Sequence, residues 1–359
     1  MSAFALYRLP LSAEYIEVVQ TEGKPEELLS CAELSGRRGF VVAPFSPSAD
    51  CPVLLIRPDR WATHRVDALG GAAEEPVEGH TVADGRDSYA IDFANYHAQL
   101  ADGTFSKIVL ARQSVVEVSR EQVPVELFAR ACRLYPRMFV ALVCTPQGGL
   151  WLTATPEILA EGHQDRWRTM ALAGTMRLSG SQLAFDNPPS GSLSGDCHGI
   201  EWSTKNIREQ RYVATYITEC LEHFASDFHE EGPYTTRAGN LVHLRSDFTF
   251  KLSDCHHVGD LLESLHPTPA VCGLPKAATC RFILDNEALP RRYYSGVMGP
   301  LCPGGDSHLF VTLRCMRMEG RRYTLYAGGG LLADSEEERE WQETEAKMET
   351  MRRVIFAGV

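Results

Sequence analysis

Lys107-Ile-Val-Leu-Ala-Arg-Gln-Ser-Val-Val-Glu-Val118 is a run of strand length, rich in β-branched residues and closed by Ser119. RMFVALVC (137–144) and GLWLTAT (149–155) follow closely, each apolar or aromatic and each bounded by turn residues. Short runs of this kind read as β-strands, so the chain becomes strand-rich from Lys107 onward. Upstream, Gly39 to Pro44 and Val53 to Ile56 are shorter strand-like runs broken by Pro, Gly and Asp, and they carry no recognisable chemistry. Downstream, Leu178 to Ser203 is poor in apolar residues and reads as a long loop. Ser203 can then cap a helix on which Asn206, Glu209, Val213, Ile217, Cys220 and Phe224 recur at helical spacing. LFVTLRCMRM (309–318), a Glu319-Gly320 turn and RRYTLYAG (321–328) predict a hairpin. Ser335 and Glu338 form an S-x-x-E capping box for a last helix running to about Ile355. No repeat or clean linker divides the chain, so residues 1–359 are read as one composite domain: 1–103 a scaffold portion, 104–359 the portion with the chemistry.

A chain of 359 residues buries roughly three quarters of its unfolded surface and needs no metal or disulfide to fold. With 44% hydrophobic and 23% charged residues it has the composition of a globular protein. Lys and Arg number 35 against 47 Asp and Glu, a net charge of −12 that argues against nucleic acid or an anionic membrane as partner. Eleven cysteines are scattered without a C-x-x-C pair, which fits neither a zinc site nor a disulfide framework. The amino terminus lacks a signal-peptide pattern and no apolar run is long enough to span a bilayer, so a cytoplasmic location is expected.

On the last helix Glu340, Glu343 and Lys347 share one face beside an apolar stripe of Trp341, Met348, Met351 and Ile355. A solvated face with a Glu343–Lys347 pair would look the same. Glu209 opens an apolar stripe and is either exposed at a first turn or placed for chemistry. Two helices each offering an inward carboxylate could hold one Mg²⁺, which takes oxygen ligands. Gly328, Gly329 and Gly330 read as a turn that lets backbone N–H groups approach a ligand; a plain tight turn is the alternative. Arg314 is read within a strand, on one face with Thr312 and Met316, as a fork for a carboxylate or an exposed edge arginine. Lys107 and Glu157, taken singly, read as surface residues.

Taken in order, KIVLAR, TPEIL, LAGT, KNIREQ, VHL, HPTPAVCGLPK, RRYYSGVMG, TLRC, YAGGGL and EWQETEAK resemble the chorismate-utilising enzymes, over roughly Thr104 to the end. The resemblance implies an α+β fold: a single large domain of extended antiparallel sheets packed face to face, helices outside, with a Mg²⁺-dependent site between the sheets. Carried over by position, Lys107 matches the lysine that activates the water attacking C2 of chorismate, and Glu157 the acid that protonates the departing C4 hydroxyl. Glu209 and Glu343 match glutamates that bind Mg²⁺ directly, and Glu340 one that reaches it through water. Arg314 and Tyr294 match the pair near the enolpyruvyl carboxylate, and Gly328 to Gly330 the turn that supports it. Thr175, His243 and Lys347 match polar groups of the pocket. A lysine serves as base near neutral pH only if burial lowers its pKa, and a glutamate as acid only if its pKa is raised.

Ala173 stands where aminodeoxychorismate synthases carry a lysine nucleophile, and Ala270 where salicylate synthases typically carry threonine. HPTPA is the isochorismate synthase form, which implies conversion of chorismate to isochorismate, an isomerase reaction feeding menaquinone, a siderophore or salicylate. A salicylate synthase is the enzyme alternative. Asn206 replaces an acidic residue of the family segment and Gln210 a histidine, departures that bear on metal affinity and motivate a non-catalytic relative as a further alternative. Retention of Lys107, Glu157, Glu209 and Glu343 speaks for catalysis. The only partner expected is chorismate, with the chain a monomer and a dimer left open.

Overall fold

The computed structural model describes residues 2–69, 77–180, 182, 185, 200–238, 241–252 and 257–356. Most of the loop expected over Leu178 to Ser203 lies outside the described residues, as do Cys197 and Cys255. Strands β1 (Ala3–Arg8), β2 (Glu14–Gln20), β3 (Glu26–Leu28), β4 (Gly39–Ala43), β5 (Val53–Ile56), β6 (Arg60–Arg65) and β7 (Gly79–Ala83) precede helix α1 (Arg86–Ala101). Next come β8 (Lys107–Val118), α2 (Pro124–Leu134), β9 (Phe139–Thr145), β10 (Gly149–Thr155), β11 (Ile158–His163) and β12 (Arg166–Arg177). α3 (Thr204–Phe224), β13 (Ala225–Ala238), β14 (Leu241–Leu252), α4 (Val258–Leu265), β15 (Gly273–Leu274) and α5 (Lys276–Asn286) follow. The chain closes with β16 (Val297–Leu301), β17 (Asp306–Val311), β18 (Cys315–Glu319), β19 (Arg322–Leu331) and α6 (Glu337–Ile355).

Among the described residues these strands form two antiparallel sheets. One runs β15-β8-β19-β18-β10-β9-β1-β2-β6, with β7 also paired to β8; the other runs β13-β14-β12-β11-β17-β16-β4-β5-β3. They pack face to face across an aromatic layer in which Phe139 of β9 stacks on Phe310 of β17 at 4.2 Å between ring centres, with Tyr7 and Phe40 beside them. Burying both faces of a sheet requires cover outside it. α3 and α4 cover the second sheet through Val213, Ile217, Leu221, Leu261 and Leu265, and α2 and α6 cover the first through Leu127, Phe128, Met348, Met351 and Ile355. The expected arrangement of face-to-face sheets with helices outside is therefore present. Residues 1–103 contribute β1 to β7, strands of both sheets.

Four local expectations need correction. LFVTLRCMRM is not one strand: β17 ends at Val311 in the second sheet and β18 begins at Cys315 in the first. Arg314 lies in the crossover at φ +46°, so it does not share a strand face with Thr312 and Met316. Gly328 to Gly330 are residues of β19, paired with Ala111, Leu110 and Val109 of β8, and make no turn. The capping box does not form, because α6 is entered from Glu336 and the Ser335 hydroxyl instead accepts from the Leu332 backbone N–H at 3.0 Å. Ser203 caps α3 as expected, its hydroxyl accepting from the Asn206 N–H at 3.2 Å.

Candidate active site

Between the sheets lies a cleft lined by Glu157, Thr175, Glu209, His243, Ala270, Tyr294, Arg314, Gly328, Gly330 and Lys347. A larger, more open groove at the far end of the second sheet, bounded by Arg166, Arg168 and Lys251, shares no residue with it. Glu157, Ala270, Tyr294 and Arg314 lie between regular elements, whereas Glu209 and Lys347 come from within α3 and α6. Thr175 sits at a bulge in β12, where Gly174 takes φ +72°. A Cβ on Gly174 would also come within 3.1 Å of the Asn206 carbonyl oxygen, so glycine is required there for α3 to approach the sheet.

Lys107 opens β8 and is fully buried; its Nζ lies 3.1 Å from Oε1 of Glu209 on α3. Glu157 follows Pro156 in the link between β10 and β11 and is 3% exposed. Burial pushes its carboxyl up to about 8, against the pull of the Lys107, Lys347 and Arg314 charges. At neutral pH Glu157 therefore holds a proton.

Arg314 is buried, and among the described residues no carboxylate is hydrogen-bonded to it. Its Nη2 donates to His243 Nε2 at 3.1 Å, and its Nη1 has no partner among the described residues. Burial and the neighbouring Arg314 and Lys347 charges hold His243 well below the usual histidine value, so its ring is neutral. The Nδ1–H then points to the Gly174 carbonyl at 3.2 Å, with the Thr175 hydroxyl 3.3 Å from the same nitrogen. A desolvated guanidinium with a free donor, oriented by a neutral histidine, is a receptor for an incoming carboxylate. Tyr294 stacks on Tyr326 beside it, ring centres 5.6 Å apart.

The acidic cluster pairs carboxylates with lysines one to one. Glu209 takes Lys107; Glu343 accepts from Lys347 at 2.6 Å; Glu340 is bonded to Lys205. Lys347 also donates to the Gly328 carbonyl at 2.8 Å. Burial alone would push Glu343 up, but Lys347, Lys205 and the Thr175 hydroxyl hold it below the usual carboxylate range. Burial and the nearby Glu343 push Glu340 up to about 7 despite Lys205, and Glu340 Oε2 is buried without a hydrogen-bond partner among the described residues. The glycines of β19 make room for these groups. A Cβ on Gly330 would fall 2.0 Å from Glu209 Oε1, and one on Gly329 3.2 Å from Glu340 Oε2.

Among the described residues no three acidic, histidine or cysteine side chains converge closely enough to enclose an ion. The donors nevertheless fit Mg²⁺ in kind: oxygen ligands only, on two facing helices, one carboxylate oxygen unpartnered, and a strand without side chains beside them.

The structure brings the expected residues into and around one cleft. Lys107 stands behind Glu209, and Gly329, Glu340 and Glu343 border the cleft around β19 and α6. Lys205 was not assigned a role from sequence, although a lysine in the first turn of a helix runs against the dipole preference and marks a residue held there by something else. The apolar walls formed by Val109, Val271 and Leu313 were also missed.

A family model described as chorismate binding enzyme matches residues 71–356. The isochorismate synthase DhbC of Bacillus subtilis is 33% identical over 72% of this chain, and the salicylate biosynthesis isochorismate synthase of Pseudomonas aeruginosa 29% identical over 78%. The alignments span 65% and 57% of those relatives' own lengths. The structure of MenF, the menaquinone-specific isochorismate synthase of Escherichia coli, superposes with a TM-score of 0.78 at 22% identity, covering 98% of this chain and 88% of that one.

Proposed function

The chain belongs to the chorismate binding enzymes, and on that premise we propose that it is an isochorismate synthase, converting chorismate to isochorismate. The observation that carries this reading is Glu157, buried in the cleft that Glu209 and its partner Lys107 also approach, where burial pushes its carboxyl up to about 8. Chorismate is a dianion; the partnerless donor of Arg314 suits one carboxylate. Lys107 takes a proton from the water that attacks C2. Glu157 gives its proton to the C4 hydroxyl, which leaves as water while the ring diene shifts. Glu209 and Glu343, with Glu340 behind them, would hold Mg²⁺, which supplies charge stabilisation for the second carboxylate. Thr175 and His243 keep Glu343 and Arg314 in place, Tyr294 and Lys347 close the cleft, and Gly328 to Gly330 leave space for the carboxylates. Residues 1–103 serve as scaffold. Among the described residues no helix is long and apolar enough to cross a membrane; we read the enzyme as cytoplasmic.

Ala270 lines the cleft with a methyl group, which offers no hydroxyl to promote loss of the enolpyruvyl side chain. Pure protein given chorismate and Mg²⁺ should therefore yield isochorismate on chromatography. Supplied isochorismate should regenerate chorismate, with little pyruvate in a lactate-dehydrogenase-coupled assay. Pyruvate rising in step with chorismate loss would instead mark a lyase, and an unchanged substrate a non-catalytic binder.

A further inference from the structure

We propose that Lys205 is an internal counter-ion that competes with the divalent cation for Glu209, Glu340 and Glu343, so that the metal-free enzyme holds its own acidic cluster shut. The inference rests on the reading that these three glutamates hold the metal. Lys205 is the second residue of α3, whose first turn contains no acidic side chain; Glu209, four residues on, is already paired with Lys107. Its ammonium reaches across to α6 and bonds to Glu340, a residue only 2% exposed, and its charge also acts on Glu209 and Glu343. The other two lysines are engaged elsewhere as well: Lys107 is fully buried beneath Glu209, and Lys347 is tied to the Gly328 carbonyl. Lys205 keeps 21% of its side chain exposed, against 15% for Lys347 and none for Lys107, so it is the least enclosed of the three lysines. Among the described residues the other oxygen of Glu340 is buried without a hydrogen-bond partner, which marks a cluster neutralised by the lysine but not saturated by it.

A cation can enter only by sharing or displacing this ammonium, because two cations held by one set of carboxylates repel strongly in a weakly polar interior. Weak metal affinity in the free protein follows.

The test is direct Mn²⁺ binding to the full chain without substrate, read from the electron paramagnetic resonance signal of free Mn²⁺. Lys205→Met keeps the apolar stem and removes the charge, and should bind Mn²⁺ about tenfold more tightly or better. Lys205→Arg should stay as weak as the parent, and Glu343→Gln should bind more weakly. The metal-free Lys205→Met protein should melt lower than the parent, and Mn²⁺ should raise its Tm by more. Equal or weaker binding by Lys205→Met, with Glu343→Gln weakened, overturns the counter-ion and leaves the metal site standing. If neither substitution changes affinity, the assignment of the carboxylates themselves falls. Should Lys205→Met fail to fold, Lys205→Gln, which still donates to Glu340, carries the same comparison.

Discussion

Lys107→Ala and Glu157→Gln should each lose about 10²- to 10⁴-fold in turnover of chorismate while keeping a native circular dichroism spectrum. Removing Lys107 leaves the attacking water without a base in a cleft whose remaining lysines are committed to Glu340 and Glu343. Removing the Glu157 proton leaves hydroxide as the leaving group. The pH profile distinguishes the two roles. An acid must be protonated to act, and burial pushes the Glu157 carboxyl up to about 8, so turnover should hold on the acid side of that value and fall as pH rises through it. In Glu157→Gln that alkaline fall should vanish along with most of the rate. A loss below about tenfold at either position, or an alkaline limb that survives in Glu157→Gln, would move the role to another residue.

Glu209→Gln and Glu343→Gln should be as damaging. A bound Mg²⁺ contributes several kcal/mol of charge stabilisation, so losing a ligand should reduce turnover at least about a hundredfold. EDTA should abolish activity in the parent and added Mg²⁺ restore it. The variants should remain folded, although Glu209→Gln leaves Lys107 buried without its carboxylate partner and should melt lower than Glu343→Gln, whose lysine still donates to the Gly328 carbonyl. Full turnover in EDTA would remove the metal from the mechanism. Activity retained in Glu343→Gln would remove that glutamate from the metal site.

The sequence was most legible where one local signal decides the outcome. β8 and β10 begin and end where their alternating apolar runs do, and the stripe on α3 buries Glu209 together with Val213 and Ile217. It misled where a tertiary event hides inside an unbroken local signal. Nothing in LFVTLRCMRM marks the point at which the chain leaves one sheet for the other, since β-propensity is equally high on both sides of Arg314. The three glycines suggested a turn because glycine weakens strands. In β19 the room left by Gly329 and Gly330 is filled by carboxylates from α6 and α3, and that left by Gly328 by the Tyr294 hydroxyl. Ser335 satisfies the capping pattern in sequence, but its hydroxyl is already committed to the Leu332 N–H. The pairing of Lys205 with Glu340 joins residues far apart in the chain, and its one local sign is a lysine in the first turn of α3.

At Arg314, catalysis and folding pull in opposite directions. A side chain other than glycine held at φ +46° costs on the order of 1 kcal/mol, and burying a guanidinium without a carboxylate adds to that burden. Glycine at this crossover would relieve both, at the expense of the group that receives the substrate. A laboratory selection for heat resistance alone would therefore drift toward Arg314→Gly and return a sturdier protein that no longer turns over. A selection that also demanded product would keep the arginine and find its gains elsewhere, which makes this one position a gauge of what any evolved variant was asked to do.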